Sequence, residues 1–136
     1  MPAKLTKDSI DIGLVTNDAE PMLAFYRDVL GLEYVGEQKA PGGVRHRLLC
    51  GTSAVKLLVL RKPLANRSPA GGIYVSSGCR YWTLSVSNLD EILVACEAAG
   101  VPIAVPLTEY EPGKRMAMLE DPDGNWVELL EGNIPA

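Results

Sequence analysis

The chain has 136 residues, 47% of them apolar and 22% charged, enough for one folded domain with its own core. Its net charge of −4, with no basic run, argues against a nucleic-acid partner, and no apolar stretch approaches the ~20 residues of a membrane span. Cys50, Cys79 and Cys96 lack both the even count and the CxxC spacing of a disulfide or zinc framework, and the Met-Pro-Ala-Lys start lacks a signal peptide's apolar stretch, which sets a cytoplasmic expectation.

In chain order, a strand of six or seven residues is predicted from Asp11, followed by a helix capped at its start by the carboxylate of Asp18. Met22, Phe25, Tyr26, Val29 and Leu30 form its apolar face, and Gly31 stops it. Glu33–Glu37 reads as a short edge strand. Arg45–Leu49 and Val55–Leu60 flank Gly51-Thr52 as a hairpin. A connector rich in Gly, Ser and Pro spans residues 61–80. Tyr81 then opens a second strand, which leads into a helix starting at Asn88, with Glu91 as capping-box partner. Leu89, Ile92, Leu93, Cys96 and Ala99 face inward, and Gly100 closes the helix. Residues 106–114 read as a loop. Met116–Leu119 and Trp126–Leu130 make a last hairpin around Asp121-Pro-Asp-Gly-Asn125.

The strand–cap–helix–Gly plan thus occurs twice, about seventy residues apart. The expected fold is α+β, with two βαβββ modules at about 8–60 and 79–131 joined by a loop at about 61–78 in a single domain. Strand alternation puts Asp11, Gly13 and Val15 on one face, with Ile10, Ile12 and Leu14 behind. Likewise Tyr81, Thr83 and Ser85 share a face, as do Trp126, Glu128 and Leu130. Counting back from the Gly51-Thr52 turn pairs Arg47 with Lys56, although a slip of one residue would turn Arg47 outward.

Three passages together resemble the vicinal oxygen chelate superfamily, which includes the glyoxalases, bleomycin-resistance proteins and extradiol dioxygenases. They are Asp11-Ile-Gly-Leu-Val with Phe25-Tyr26-Arg-Asp-Val-Leu-Gly-Leu32, then Leu84-Ser-Val-Ser-Asn-Leu-Asp90, then Leu119-Glu-Asp-Pro-Asp-Gly-Asn-Trp-Val-Glu-Leu129. The resemblance implies two modules that curl into an open, mixed-sheet bowl, with helices on the convex side and a small-molecule site on the concave side. It also implies four metal-ligand positions, which here fall on Asp11, Lys56, Tyr81 and Glu128. Only Glu128 is a usual ligand. Relatives of this type often dimerise, so a homodimer is the expected assembly.

Without imidazoles, and with an ammonium at one ligand position, the expectation is no cofactor, a divalent metal being the minor alternative. His46, the chain's one histidine, falls outside the ligand pattern. The four positions then form either a structural Lys56–Glu128 ion pair or an acid–base constellation. In the latter, Glu128 or Asp11 removes a proton and Tyr81 or Lys56 steadies an oxyanion. Arg47 beside Lys56 suits an anionic small molecule. Trp126 is a candidate for stacking a flat substrate or for packing the floor. Tyr74 and Tyr110 are either lid contacts or plain solvent-facing aromatics. The preferred function is metal-independent isomerase, epimerase or lyase chemistry. The alternatives are a sequestering protein of the bleomycin-resistance kind and a metal-dependent lyase or dioxygenase.

Overall fold

A computed structural model of the chain describes residues 2–132. The chain divides into two compact units, with the boundary between Ala65 and Asn66. No helix among the described residues is long and apolar enough to cross a membrane.

The first unit holds a four-stranded mixed sheet in the order β1-β4-β3-β2. Its strands are β1 (Ile12–Val15), β2 (Glu33–Ala40), β3 (Gly43–Cys50) and β4 (Ser53–Leu60). β1 runs parallel to β4, and the other pairs are antiparallel. β1 is shorter than predicted, because ladder pairing starts only at Ile12 with Val55. Asp11 meets β4 with its carboxylate instead, accepting the Ala54 N–H at 2.8 Å. Ile10, expected behind the sheet, lies before the strand and is exposed.

The predicted helix starts where Asp18 accepts the Glu20 N–H at 3.2 Å. It is an α-helix, α1, only over Ala19–Leu23 and continues as a π-helical turn over Ala24–Val29. Gly31, at φ +75°, follows this turn, and the Leu32 N–H bonds to the Tyr26 carbonyl at 3.0 Å. Met22, Leu23, Phe25 and Tyr26 are buried with Leu48, Val55 and Leu57 of the sheet, whereas Val29 and Leu30 are only half-buried. Cys50 pairs with Ser53 across the Gly51-Thr52 turn, as the hairpin prediction requires. β2 is an edge strand as predicted but runs on to Ala40, with a bulge between Tyr34 and Gly36.

The second unit repeats the plan, with sheet order β5-β8-β7-β6. Here β5 is Tyr81–Val86, β6 Ile103–Glu111, β7 Lys114–Glu120 and β8 Trp126–Glu131. Helix α2 (Leu89–Ala99) packs on β8, burying Leu89 and Cys96. Ala99, predicted inward, is exposed in the last turn. The predicted capping box does not form: Glu91 takes the Asn88 side-chain amide at 3.3 Å. Glu131 of β8 accepts the Leu89 N–H at 2.8 Å instead, so a tertiary contact caps the helix. Arg115 on β7 binds Glu131 and grips Asp90 with two nitrogens, at 2.9 and 3.1 Å, holding both carboxylates below their usual pKa range. This bracket fixes the first turn of α2 to the sheet.

The region expected to loop, residues 106–114, is mostly strand β6. Its pairing with β7 shifts register three times, and Pro106 lies inside one of those shifts. An edge strand tolerates a proline because one side of its ladder is unpaired.

Candidate functional site

In the first unit, β1, β4, β3 and β2 lie side by side, so their register decides which side chains meet on the face away from α1. One transverse row reads Gly13, Lys56, Arg47, Gly36. The predicted hairpin register therefore holds, and Arg47 stands directly opposite Lys56. His46, the next residue, belongs to the other face, where its Nδ1 lies 2.9 Å from the Tyr34 hydroxyl. That contact places it away from the Lys56 row.

Asp11 is fully engaged. Its Oδ1 accepts from Lys7 Nζ at 2.7 Å and from the Ala54 N–H at 2.8 Å, while Lys56 Nζ stands 3.5 Å from Oδ2. The Lys7 hydrogen bond, then the Ala54 N–H, brings its pKa from 3.8 down to about 2. A carboxylate held so far below neutrality is a weak proton acceptor, and it serves as the counter-ion that tethers the residue-7 segment and Lys56 to the sheet edge. Because the folded-state pKa lies below that of the free carboxylate, its stabilising contribution is complete above about pH 4 and is lost as the pH falls towards 2. Asp11→Asn should accordingly lower the melting temperature at pH 6 and leave it close to wild type at pH 2. Thermal melts across that range check this.

In the second unit, Tyr81, Thr83 and Ser85 of β5 lie beside Trp126, Glu128 and Leu130 of β8, again on the face away from the helix. Thr83 Oγ1 donates to Glu128 Oε1 at 2.8 Å, orienting the carboxylate across the strand pair. Tyr81 is 47% exposed, and its hydroxyl has no partner among the described residues. Tyr81 is the diagonal neighbour of Glu128 on adjacent strands, about 7 Å apart by sheet geometry.

Trp126 is 6% exposed because the connector covers it. Residues 72–74 form a single 3-10 turn, and a Cβ at Gly72 would overlap the six-membered ring of Trp126. Tyr74 stands edge-on to that ring at 6.1 Å while staying largely exposed. Arg80 pins the strap from beneath, donating to the Gly72 carbonyl at 2.9 Å, to Ser68 Oγ at 3.1 Å and to the Pro69 carbonyl. Beside the strap lies an open cavity of about 400 Å³, lined by residues that include Arg67, Ser68, Glu120 and Asp123. Tyr110 lies on β6, not in a loop, and is half exposed. The strap contacts of Gly72 and Arg80 escaped the sequence reading, because neither residue lies in a motif. The Thr83–Glu128 bond was implicit in two alternations whose relative register was unknown.

A divalent metal suits these donors poorly. The Asp11 carboxylate is occupied by two ammonium groups and an amide N–H, and Lys56 offers no lone pair while its charge is held. Within either unit, no three His, Cys, Asp or Glu side chains among the described residues gather as ligands.

The sequence profile of the Glyoxalase/Bleomycin resistance protein/Dioxygenase superfamily matches residues 10–129. The chain belongs to this superfamily. A lactoylglutathione lyase of Schizosaccharomyces pombe is 29% identical over 127 residues, covering 84% of this chain and 41% of the yeast protein. The chain thus spans about two fifths of that relative's length. Among solved structures, a lactoylglutathione lyase from Agrobacterium tumefaciens is 29% identical with a TM-score of 0.65, covering 95% of this chain and 96% of that one. A glyoxalase family protein from Bacillus cereus superposes with a TM-score of 0.80 at 16% identity over 95% of both chains, a likeness of fold. The two four-stranded mixed sheets, each with one helix between its first two strands, are this superfamily's paired βαβββ modules.

Proposed function

We propose that this glyoxalase-superfamily chain moves a proton on carbon beside a carbonyl of a small molecule, without a metal, with Glu128 as base and Tyr81 as the group that steadies the oxygen. The observation that carries the reading is the pair itself. A carboxylate oriented by Thr83 and a phenol whose hydroxyl has no partner among the described residues share one sheet face as diagonal neighbours. Glu128 accepts the carbon-bound proton, and the C–H electron pair moves into the carbonyl to give an enolate. The Tyr81 O–H donates to the enolate oxygen, where charge accumulates. Return of the proton to the opposite face gives epimerisation. Where the deprotonated carbon bears a hydroxyl, that hydroxyl passes its proton to the enolate oxygen, and return of the carbon proton to the former carbonyl carbon gives isomerisation. Expulsion of a group from the adjacent carbon gives elimination. The likeness to proteins named lactoylglutathione lyase supports lyase-type chemistry. Asp11 has no proton-transfer role in this scheme.

A second reading, ligand sequestration without reaction, is favoured by the exposure of Tyr74 and Tyr81, which offer aromatic surface to a flat molecule. One experiment separates the readings. Protein stripped with a strong chelator is incubated in D2O with a panel of 2-hydroxy- and 2-oxo-carbonyl compounds and their thiol adducts, and deuterium at the carbon next to the carbonyl is followed by NMR. Deuterium incorporation by stripped protein is the expected result. Incorporation that appears only after nickel, zinc, iron or manganese is restored would overturn metal independence. Tight binding of a panel member without incorporation would favour sequestration.

A further inference from the structure

On the helix-free face of the first sheet, Arg45 and Arg47 project from β3 two residues apart, and Lys56 stands opposite Arg47 on β4. Sheet spacing puts the three Cβ atoms at the corners of a triangle with sides of roughly 5 and 7 Å. Lys56 has Asp11 as a counter-ion at 3.5 Å. Neither arginine has a hydrogen bond or ion pair among the described residues, although both are half-buried. Their neighbours along the ladders offer no carboxylate. Arg45 lies between Leu58 and Gln38, and Arg47 between Lys56 and Gly36.

Like charges placed directly opposite one another on paired strands destabilise a sheet. Here two such charges sit in the middle of a row whose ends are both glycine. A Cβ at Gly13 or at Gly36 would meet nothing within 4 Å, so both ends of the row are open above the sheet. Leu49 and Leu58 share the same face and lower the local polarity around the cations. Unpaired guanidinium groups, a facing ammonium and open space above them make a receptor for an oxyanion, because a guanidinium fork matches two oxygens of a carboxylate or phosphate.

We propose that Arg45, Arg47 and Lys56 form a binding site for a carboxylate or phosphate group of a small-molecule ligand. The site takes the group at the Arg47–Lys56 pair, with Arg45 closing one side. The inference rests on the reading of this chain as a small-molecule protein and adds the charge of the molecule it takes. It uses no residue of the Glu128–Tyr81 pair.

The test is calorimetric titration of the full chain at fixed ionic strength, with malonate in one arm and inorganic phosphate in the other, and chloride as reference. Saturable binding in at least one arm is expected, the stronger arm identifying the group. Arg47→Gln should weaken it about ten- to hundred-fold, as expected for loss of a charge-assisted contact. Arg45→Gln should also weaken it. Arg61→Gln removes the same charge from an exposed position off the row and should leave affinity unchanged. Melting temperature provides the second readout: Arg47→Gln relieves repulsion with Lys56 and should not lower it. Absence of binding in both arms, or equal binding by wild type and the Arg45→Gln/Arg47→Gln double variant, would overturn the proposal. Glu128→Gln binds the anion normally if the site is as described. Loss of deuterium incorporation in that variant with anion binding retained therefore separates the two readings.

Discussion

Glu128→Gln is expected to lower turnover by about 10²–10⁴-fold, the range that a positioned general base contributes. The replacement keeps the shape of the side chain, and its carbonyl oxygen can still accept the Thr83 hydroxyl now held at 2.8 Å. The loss falls on the capacity to accept a proton, so kcat should collapse while KM and melting temperature stay near wild type. Thr83→Val should give a smaller fall, because it frees the carboxylate to rotate without removing it. Tyr81→Phe should also reduce kcat, since it removes the donor that meets the developing oxyanion. Asp11→Asn bears on the assignment from the other side. Asp11 is already committed to Lys7, Ala54 and Lys56, so its loss should act on stability. If Asp11→Asn abolished turnover and Glu128→Gln did not, the base would be misassigned.

The ease with which the scaffold could be read, and the difficulty of reading the site, have separate physical causes. Side-chain alternation with period two is local, so the faces of β5 and β8 were legible from residues 81–86 and 126–131 alone. The Arg47–Lys56 pairing was legible because a two-residue turn leaves little freedom in register. The features that sequence reasoning missed are mostly non-local. Glu131 replaces Glu91 as the acid bonded at the start of α2, reaching it from a strand forty-two residues away. β6 was hidden because three register shifts and an internal proline erase the alternation that identifies a strand. By residue type Asp11 is a candidate base, but the Ala54 amide, from a strand forty-three residues away, and the nearby Lys7 hold it as an anion. Residue type located the positions, whereas their chemistry depended on partners that only the fold supplies.

Gly72→Ala tests whether the connector is a fixed part of the second unit. Two effects act at this position. Gly72 has φ +59°, a conformation that costs an L-residue about 1–2 kcal/mol, and its added methyl would overlap the indole of Trp126. Overlap of this kind in a packed region typically costs about 1–3 kcal/mol. Gly51, in the β3–β4 turn, provides the control. Its φ is +58°, and a Cβ there meets nothing within 4 Å. Gly51→Ala should show the backbone effect alone, and the excess loss of stability in Gly72→Ala should report the contact with Trp126. Because Arg80 ties the strap at Gly72, Pro69 and Ser68, displacement at one point should lift the segment as a unit. Trp126, now 6% exposed, would then meet water. In a Trp82→Phe background the remaining indole emission should shift to longer wavelength in Gly72→Ala and stay put in Gly51→Ala. Equal destabilisation by the two substitutions, with no spectral shift in either, would mean that the strap does not rest on Trp126. In that case the indole would be free to stack a flat ligand, and the aromatic surface beside Glu128 would be larger than Tyr74 and Tyr81 alone provide.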